Sequence, residues 1–459
     1  ASGDGGLVEV SSKRQLVFSA AVDTSAPAGR TGTLLLDPMD VTITATGHSS
    51  GGSFSESEPN VFTSEEESAS SMLAWGDIVG ALASNNVQIT TSSSADATGN
   101  ITVAAPVSYA SAHTLELLAH NDIAIDGAIT NSGVGDVNAH AGWDGTLPGT
   151  IYVGIPVIVG AGNIQVNAAV NTGGNVNFRA GNSVTTAAPI AGVNVELAAH
   201  GAGVDLETNG PSGVTVGNTI SGVHRVSLRA DKMDLSGGTI TAGYVDLFTA
   251  DSGTAVKLGS TTDAEAYTLE LSQAEINTIT SSVLSLSTSE GKITNTAAIN
   301  RGTGSLHLTA DKMNLSGGTI VAGTVSLNTS TQGTAINLGS TTDAAANTLE
   351  LSQAEINSIT SSNGLTLSAN GGTVTNTATI NPAGANAIGT LTISGNFTQN
   401  ASGQIDLDVG GTAGGSYDKL VVLGNLVMGG ALHAAVINGY VPVNGNAIPF
   451  LTMTGTASG

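Results

Sequence analysis

ADKMDLSGGTITAGYVDLFTADSGTAVKLGSTTDAEAYTLELSQAEINTITSS, residues 230–282, returns as ADKMNLSGGTIVAGTVSLNTSTQGTAINLGSTTDAAANTLELSQAEINSITSS at 310–362. The offset is constant: Asp231 recurs as Asp311, Asp263 as Asp343 and Glu275 as Glu355. Past this stretch the register slips by one, since Asn295 aligns with Asn376. A repeat that absorbs a single inserted residue at a loop behaves as a stacked coil, in which each unit touches only its neighbours.

Within the repeat run short alternating segments such as GTITAG, VDLFTA, TLELS and LSLSTS, punctuated by Gly, Asn, Asp and Ser. The same grammar runs upstream in NIQVNAAV (163–170), NVNFRAG (175–181) and VNVELAAH (193–200). A β-sandwich or barrel would need strands near its rim to differ from those at its centre. The uniform texture instead predicts an all-β fold, a right-handed parallel β-helix with circuits of roughly 20 residues and four circuits per 80-residue unit. At ~4.8 Å per stacked strand, about 20 such circuits would form a rod on the order of 100 Å long.

Composition agrees. The chain has 459 residues and 61 glycines, and it is 40% hydrophobic but only 3% aromatic, so its core must be built from Val, Ile, Leu and Ala in narrow layers. Twelve Lys and Arg against 36 Asp and Glu give a net charge of −24, which argues against nucleic acid or an anionic membrane surface as a partner. Cysteine is absent, which fits a chain that crosses a membrane unfolded. The opening ASGDGG, without Met, is expected of a processed or excised fragment. The most apolar stretch, IYVGIPVIVGAG (151–162), is too short and too rich in Gly and Pro for a membrane-spanning helix.

Four regions are expected. Residues 1–110 form a β region interrupted by an acidic loop, 48–71, and by a helix, 71–84. Residues 111–225 form β-helix coils, 226–382 hold the two repeats, and 383–459 form a C-terminal β module or cap. In the helix, Met72, Trp75, Val79 and Leu82 share helical spacing and Ser71 is placed to cap. The acidic loop carries Glu56, Glu58, Glu65, Glu66 and Glu67 with no basic residue. At LLLDPMDVTI (34–43), Pro38 cannot donate into a ladder, so the strand must end there; Asp37 closes the corner and Val41 and Ile43 re-enter the core.

The segment GLVEVSSKRQLVFSAAVDTSAPAGRTGTLLLDPMDVTI (6–43) resembles the large exoproteins of the filamentous-haemagglutinin type. A helix at 71–84, the strand NNVQITTSSS (85–94) and the coil LLAHNDIAIDGAI (117–129) continue the likeness, and GTLTISGNFTQ to GGALHAAVING (389–439) is similar to the end of many surface-exposed β-helix passengers. The resemblance implies two-partner secretion, in which a bacterial β-helix passes the outer membrane through a dedicated pore and acts as an adhesin or matrix protein at the cell surface or outside the cell. No cofactor is expected.

Catalytic chemistry is thinly represented. Eight histidines are scattered, none in a ligand-spaced pair. His120 and His140 would align on adjacent circuits if every circuit had the expected length. Asp406, Asp408 and Asp418 cluster without an EF-hand or GGxGxD pattern, which makes them a weak calcium candidate; whether any metal is held is left open by the sequence. A polysaccharide-degrading enzyme would need paired acids beside a cleft and aromatic sugar platforms, and only two tryptophans, Trp75 and Trp143, are present. The leading expectation is a non-catalytic extracellular rod that attaches cells to surface or matrix glycans or proteins, or builds biofilm matrix. The alternatives are a subunit that self-associates end to end into a fibre or sheath, and a polysaccharide-degrading β-helix.

Overall fold

The computed structural model describes every residue except 1–2, 12–15, 17, 19–20, 38–39, 46–51, 55–61, 65–69, 92–97, 146–155, 200–212, 341 and 385. It is an all-β parallel β-helix in two compact units, residues 1–243 and 244–459. The boundary falls inside the first copy of the repeat. No helix among the described residues is long and apolar enough to cross a membrane.

The strands of the first unit stack into three parallel ladders. One runs through Thr33–Asp37, Asn86–Thr90, Leu115–Ala119, Val137–Ala141, Val176–Ala180, Ile190–Ala199 and Thr219–Arg229. A second joins Asp40–Thr44, Ile101–Val103, Ile123–Ile125, Asn163–Val166, Ser183–Thr186, Gly213–Val216 and Lys232–Asp234. The third includes Val107–Tyr109, Ile129–Asn131 and Val170–Thr172. Strand side chains alternate between the two faces of a ladder, so every second residue points inward. Register stacks these into columns: Leu34, Val87, Leu115, Val137, Val176, Val195 and Val226 follow one another, all essentially buried. Each such side chain is worth about 1.5–3 kcal/mol when removed from water.

Circuit length is far less uniform than the texture of the sequence implies. Along that column the step from Leu34 to Val87 is the longest and the step from Val176 to Val195 the shortest, with Val137 to Val176 another long one. The extra residues are carried at the corners, while the ladder phase is kept. Gly52–Phe54 pairs antiparallel with Phe62–Ser64 inside the expected acidic loop; the five glutamates lie outside the described residues, as do His48 and His200. The corner at LLLDP does divide two ladders, Thr33–Asp37 from Asp40–Thr44, although Pro38 and the Asp37 side chain lie outside what is described.

The helix occupies Trp75–Leu82, a narrower span than 71–84. Residues 71–74 belong instead to the strand Ser70–Ala74, which pairs residue for residue with Asp40–Thr44, so the ladder overrides the local helical pattern. Ser71 therefore caps nothing; its Oγ accepts the Leu16 N–H at 2.7 Å, and the N-cap is Ala74. Met72, on the outer side of the strand, is 41% exposed. The helix buries Trp75, Ile78, Ala81 and Leu82, with the Trp75 indole N–H donating to Ala105 O at 2.7 Å.

In the second unit one ladder runs Tyr244–Phe248, Val283–Ser287, Ser305–Thr309, Val325–Asn328, Leu365–Ser368, Thr390–Ile393, Lys419–Val422 and Leu451–Met453. From Val245 the column passes Leu284 and Leu306 and reaches the equivalent position of the next copy at Val325. The repeat therefore makes three circuits on this ladder where four were expected. The long first step, from Val245 to Leu284, holds a loop and a one-turn helix. Short strands between residues 390 and 458, within the expected C-terminal region 383–459, pair in parallel with the strands before them.

Candidate functional site

The long circuits mark where the solenoid departs from its minimum, and the chemistry gathers there. In the first unit the long step between Val137 and Val176 folds residues 142–145 and 156–162 onto the outside of the coil. Trp143 bridges antiparallel to Ile158, and the Trp143 N–H donates to Ala119 O at 3.0 Å. Leu118 points outward from its strand yet is fully buried, because Trp143 and Ile158 cover it.

His140, paired with Leu118 in the ladder, is 4% exposed. Its Nε2 lies 3.5 Å from Glu116 Oε1, and Gln88 Nε2 donates to Glu116 Oε2 at 2.7 Å. Its Nδ1 is buried without a hydrogen-bond partner. Burial, assisted by the nearby Arg179 guanidinium, lowers the His140 pKa to about 3. Burial raises that of Glu116 against the Gln88 hydrogen bond. Arg179 itself pairs with Glu196 at 2.5 Å. The alignment of His120 with His140 does not occur. The circuit is longer than the alignment requires, so His140 stacks on Leu118, and His120 falls in the turn beyond the strand.

In the second unit each repeat carries a side loop and a short helix. Strand Ala255–Leu258 leads into residues 259–267 and then into Thr268–Leu271, which pairs parallel with it. Glu270, 1% exposed, accepts from Ser260 Oγ at 2.6 Å and from the Glu265 N–H at 2.8 Å, so a buried carboxylate holds the base of the loop. The second copy repeats this with Glu350, Ser340 and the Ala345 N–H, at 2.7 and 2.8 Å. Those two bonds keep the Glu350 carboxyl below its ordinary range. The helices Gln273–Asn277 and Gln353–Asn357 start with full capping boxes, Ser272 with Glu275 and Ser352 with Glu355. Arg301 donates to the Ile276 and Ile279 carbonyls at the end of the first helix, at 3.3 and 2.9 Å. That is the stabilising place for a cation on a helix.

These helices were not expected from the sequence, although the Ser-Gln-Ala-Glu signature stands there twice. The side loops were missed as well, and their signal is the pattern of difference between the copies. Lys257, Glu265 and Tyr267 of the first copy are Asn337, Ala345 and Asn347 in the second. Lys257 pairs with Glu265 and lies 3.5 Å from Glu270. Tyr267 is 65% exposed.

The three aspartates of the calcium candidate do not converge. Asp418 is buried and spends both oxygens on backbone N–H groups, those of Gly389 at 2.7 Å and Asp408 at 2.8 Å. Asp408 takes the Asn381 amide, whereas Asp406 engages Gln404 and lies 3.6 Å from His433. Among the described residues no group of three or more His, Cys, Asp or Glu is placed to hold a metal ion. Glu270, Glu350, Glu355 and Asp418 thus act as hydrogen-bond acceptors that pin loops, helix starts and neighbouring strands. Compared with family models, curated proteins and solved structures, the chain matches none.

Proposed function

We propose that this chain is a segment of an extracellular adhesive or matrix-forming rod whose work is mechanical. The observation that carries the reading is how the fold uses its polar groups. Aliphatic columns fill the interior, and the buried acids Glu270, Glu350, Glu355 and Asp418 are each committed to backbone or hydroxyl donors that fix the scaffold. What varies from circuit to circuit is the length of the side loops. A scaffold of constant phase with variable excursions suits presentation of contact surfaces to cells or matrix. The likeness of residues 6–43 to filamentous-haemagglutinin-type exoproteins points the same way, and with it come secretion through a partner pore and residence outside the cell. The test is adhesion under flow. Beads coated with the purified chain are expected to hold to biofilm matrix or to cell monolayers at shear that removes albumin-coated beads. Equal detachment of both would refute the reading, and release of reducing ends from polysaccharide would replace it with the enzymatic one.

A further inference from the structure

The two repeats provide an internal control. Both copies build the same loop, anchored by Glu270 or Glu350 and by Ser260 or Ser340. At its last residue both copies adopt a left-handed backbone, with φ of +50° at Tyr267 and at Asn347. Asparagine visits that region readily, because its short polar side chain bonds locally; a bulky aromatic residue there is strained. The first copy nonetheless places a tyrosine at this position, with the ring in solvent. It also carries Lys257 and Glu265, an ion pair across the loop that the second copy lacks at both positions, so the pair is present or absent as a unit. Residues 261–267 are all exposed. The first copy therefore holds one aromatic ring on a doubly fastened loop at a conformational cost that its sister avoids.

Backbone strain clusters at contact and functional sites, and here it is kept in an aromatic residue that is 65% exposed. We propose that the 260–267 loop binds a neutral polysaccharide, with the Tyr267 ring stacked on the apolar face of a sugar ring. The Glu265 and Asp263 carboxylates and the hydroxyls of Thr262 and Thr261 are polar groups of the same exposed loop that could meet the sugar hydroxyls. Amphipathic Tyr suits a ligand with one apolar and one polar face. The net charge of −24 and the acidic side chains on the loop disfavour anionic glycans. A protein partner would need an apolar patch of interface size, and Tyr267 is the only large exposed apolar residue of this loop. The proposal rests on the adhesive reading and names its ligand class.

Native affinity electrophoresis of the full chain tests it, with a soluble β-glucan, a galactomannan and a galactan as neutral probes and alginate as the anionic one. The wild-type chain is expected to be retarded by at least one neutral probe and not by alginate. Tyr267→Asn, which installs the residue of the sister loop, should weaken that apparent affinity at least tenfold while melting no lower than wild type. Tyr267→Phe should retain most of it. No retardation by any neutral probe, retardation by alginate alone, or equal retardation of wild type and Tyr267→Asn would overturn the proposal. The bead assay separates the two levels. If Tyr267→Asn beads adhere like wild type, the loop assignment fails and the adhesive rod stands; if wild-type beads do not adhere, the rod reading itself falls.

Discussion

Lowering the pH from 7.5 to 5 should destabilise the first unit through His140, and the size of the effect follows from the structure. In the folded chain the imidazole is buried beside Leu118 and faces the Arg179 guanidinium, and its pKa falls from 6.5 to about 3. A depressed histidine contributes stability that is fully present above the unfolded value and is lost as pH falls below it. At pH 5 the unfolded chain takes up the proton and the folded chain does not. The loss is set by the 1.5 pH units below 6.5, at about 1.4 kcal/mol each, which comes to about 2 kcal/mol. Glu116, whose pKa burial raises, works in the opposite direction, because the folded chain takes up its proton the more readily. Comparison with His140→Leu isolates the histidine, since Leu118 already shows that leucine fits the adjoining position of the column. Both tryptophans, Trp75 and Trp143, lie in the first unit, so their fluorescence reports its unfolding in urea without interference from the second. The stability difference between His140→Leu and wild type should grow by about 2 kcal/mol in favour of leucine between pH 7.5 and 5. A difference that stays constant across that range would refute the argument that His140 is buried neutral.

Other consequences are equally direct. Phe178 stacks between Ala139 and Leu197 in a fully buried column, so Phe178→Ala should cost about 3–5 kcal/mol in the same fluorescence assay. Glu350→Ala strips the acceptor from Ser340 Oγ and the Ala345 N–H; a loss of about 1–3 kcal/mol is expected, with faster hydrogen exchange confined to the side loop of the second copy and its short helix. In the second unit burial raises the Asp418 carboxyl from 3.8 to about 6 against its two backbone hydrogen bonds. A raised carboxyl binds its proton more tightly in the folded state. Its contribution is present below pH 4 and is lost as pH rises towards 6, so the circular-dichroism melt of the second unit should fall across that window by an amount that Asp418→Asn abolishes.

The fold was legible because the interior is periodic. Columns such as Leu34–Val87–Leu115 need only an aliphatic residue at alternate positions of each strand, and that pattern survives in the sequence however long the corners become. What the corners do was not legible. The repeat reads as four circuits because the loop 259–267 and the helix Gln273–Asn277 contain strand-like and polar residues that look like one more turn. Residues 71–74 look helical by spacing, yet pairing with Asp40–Thr44, a strand well upstream in the chain, decides their state. The metal candidates failed for the same reason. Proximity in sequence, as for Asp406, Asp408 and Asp418, says little about which carboxylate turns to a backbone N–H. A uniform circuit, likewise, sets His140 against His120 when the ladder sets it against Leu118. The copy-to-copy differences at 257, 265 and 267 were in plain view, but their meaning depends on a backbone angle that no composition reveals.

The side loops also bear on how the chain assembles. In the second copy Thr348–Leu351 lies on the side of Ala335–Leu338 away from Thr373–Asn376, and Lys312 from the preceding coil donates to Thr348 O at 3.0 Å. The chain lays down a strand, then doubles back and fills the space behind it. During synthesis, residues 335–338 emerge before the strand they must rest on, so growth of the stack there cannot advance one strand at a time. The smallest increment that leaves no gap is the whole passage from 335 to 351 with its helix start, and a pause in delivery within it would leave an edge open to the wrong partner.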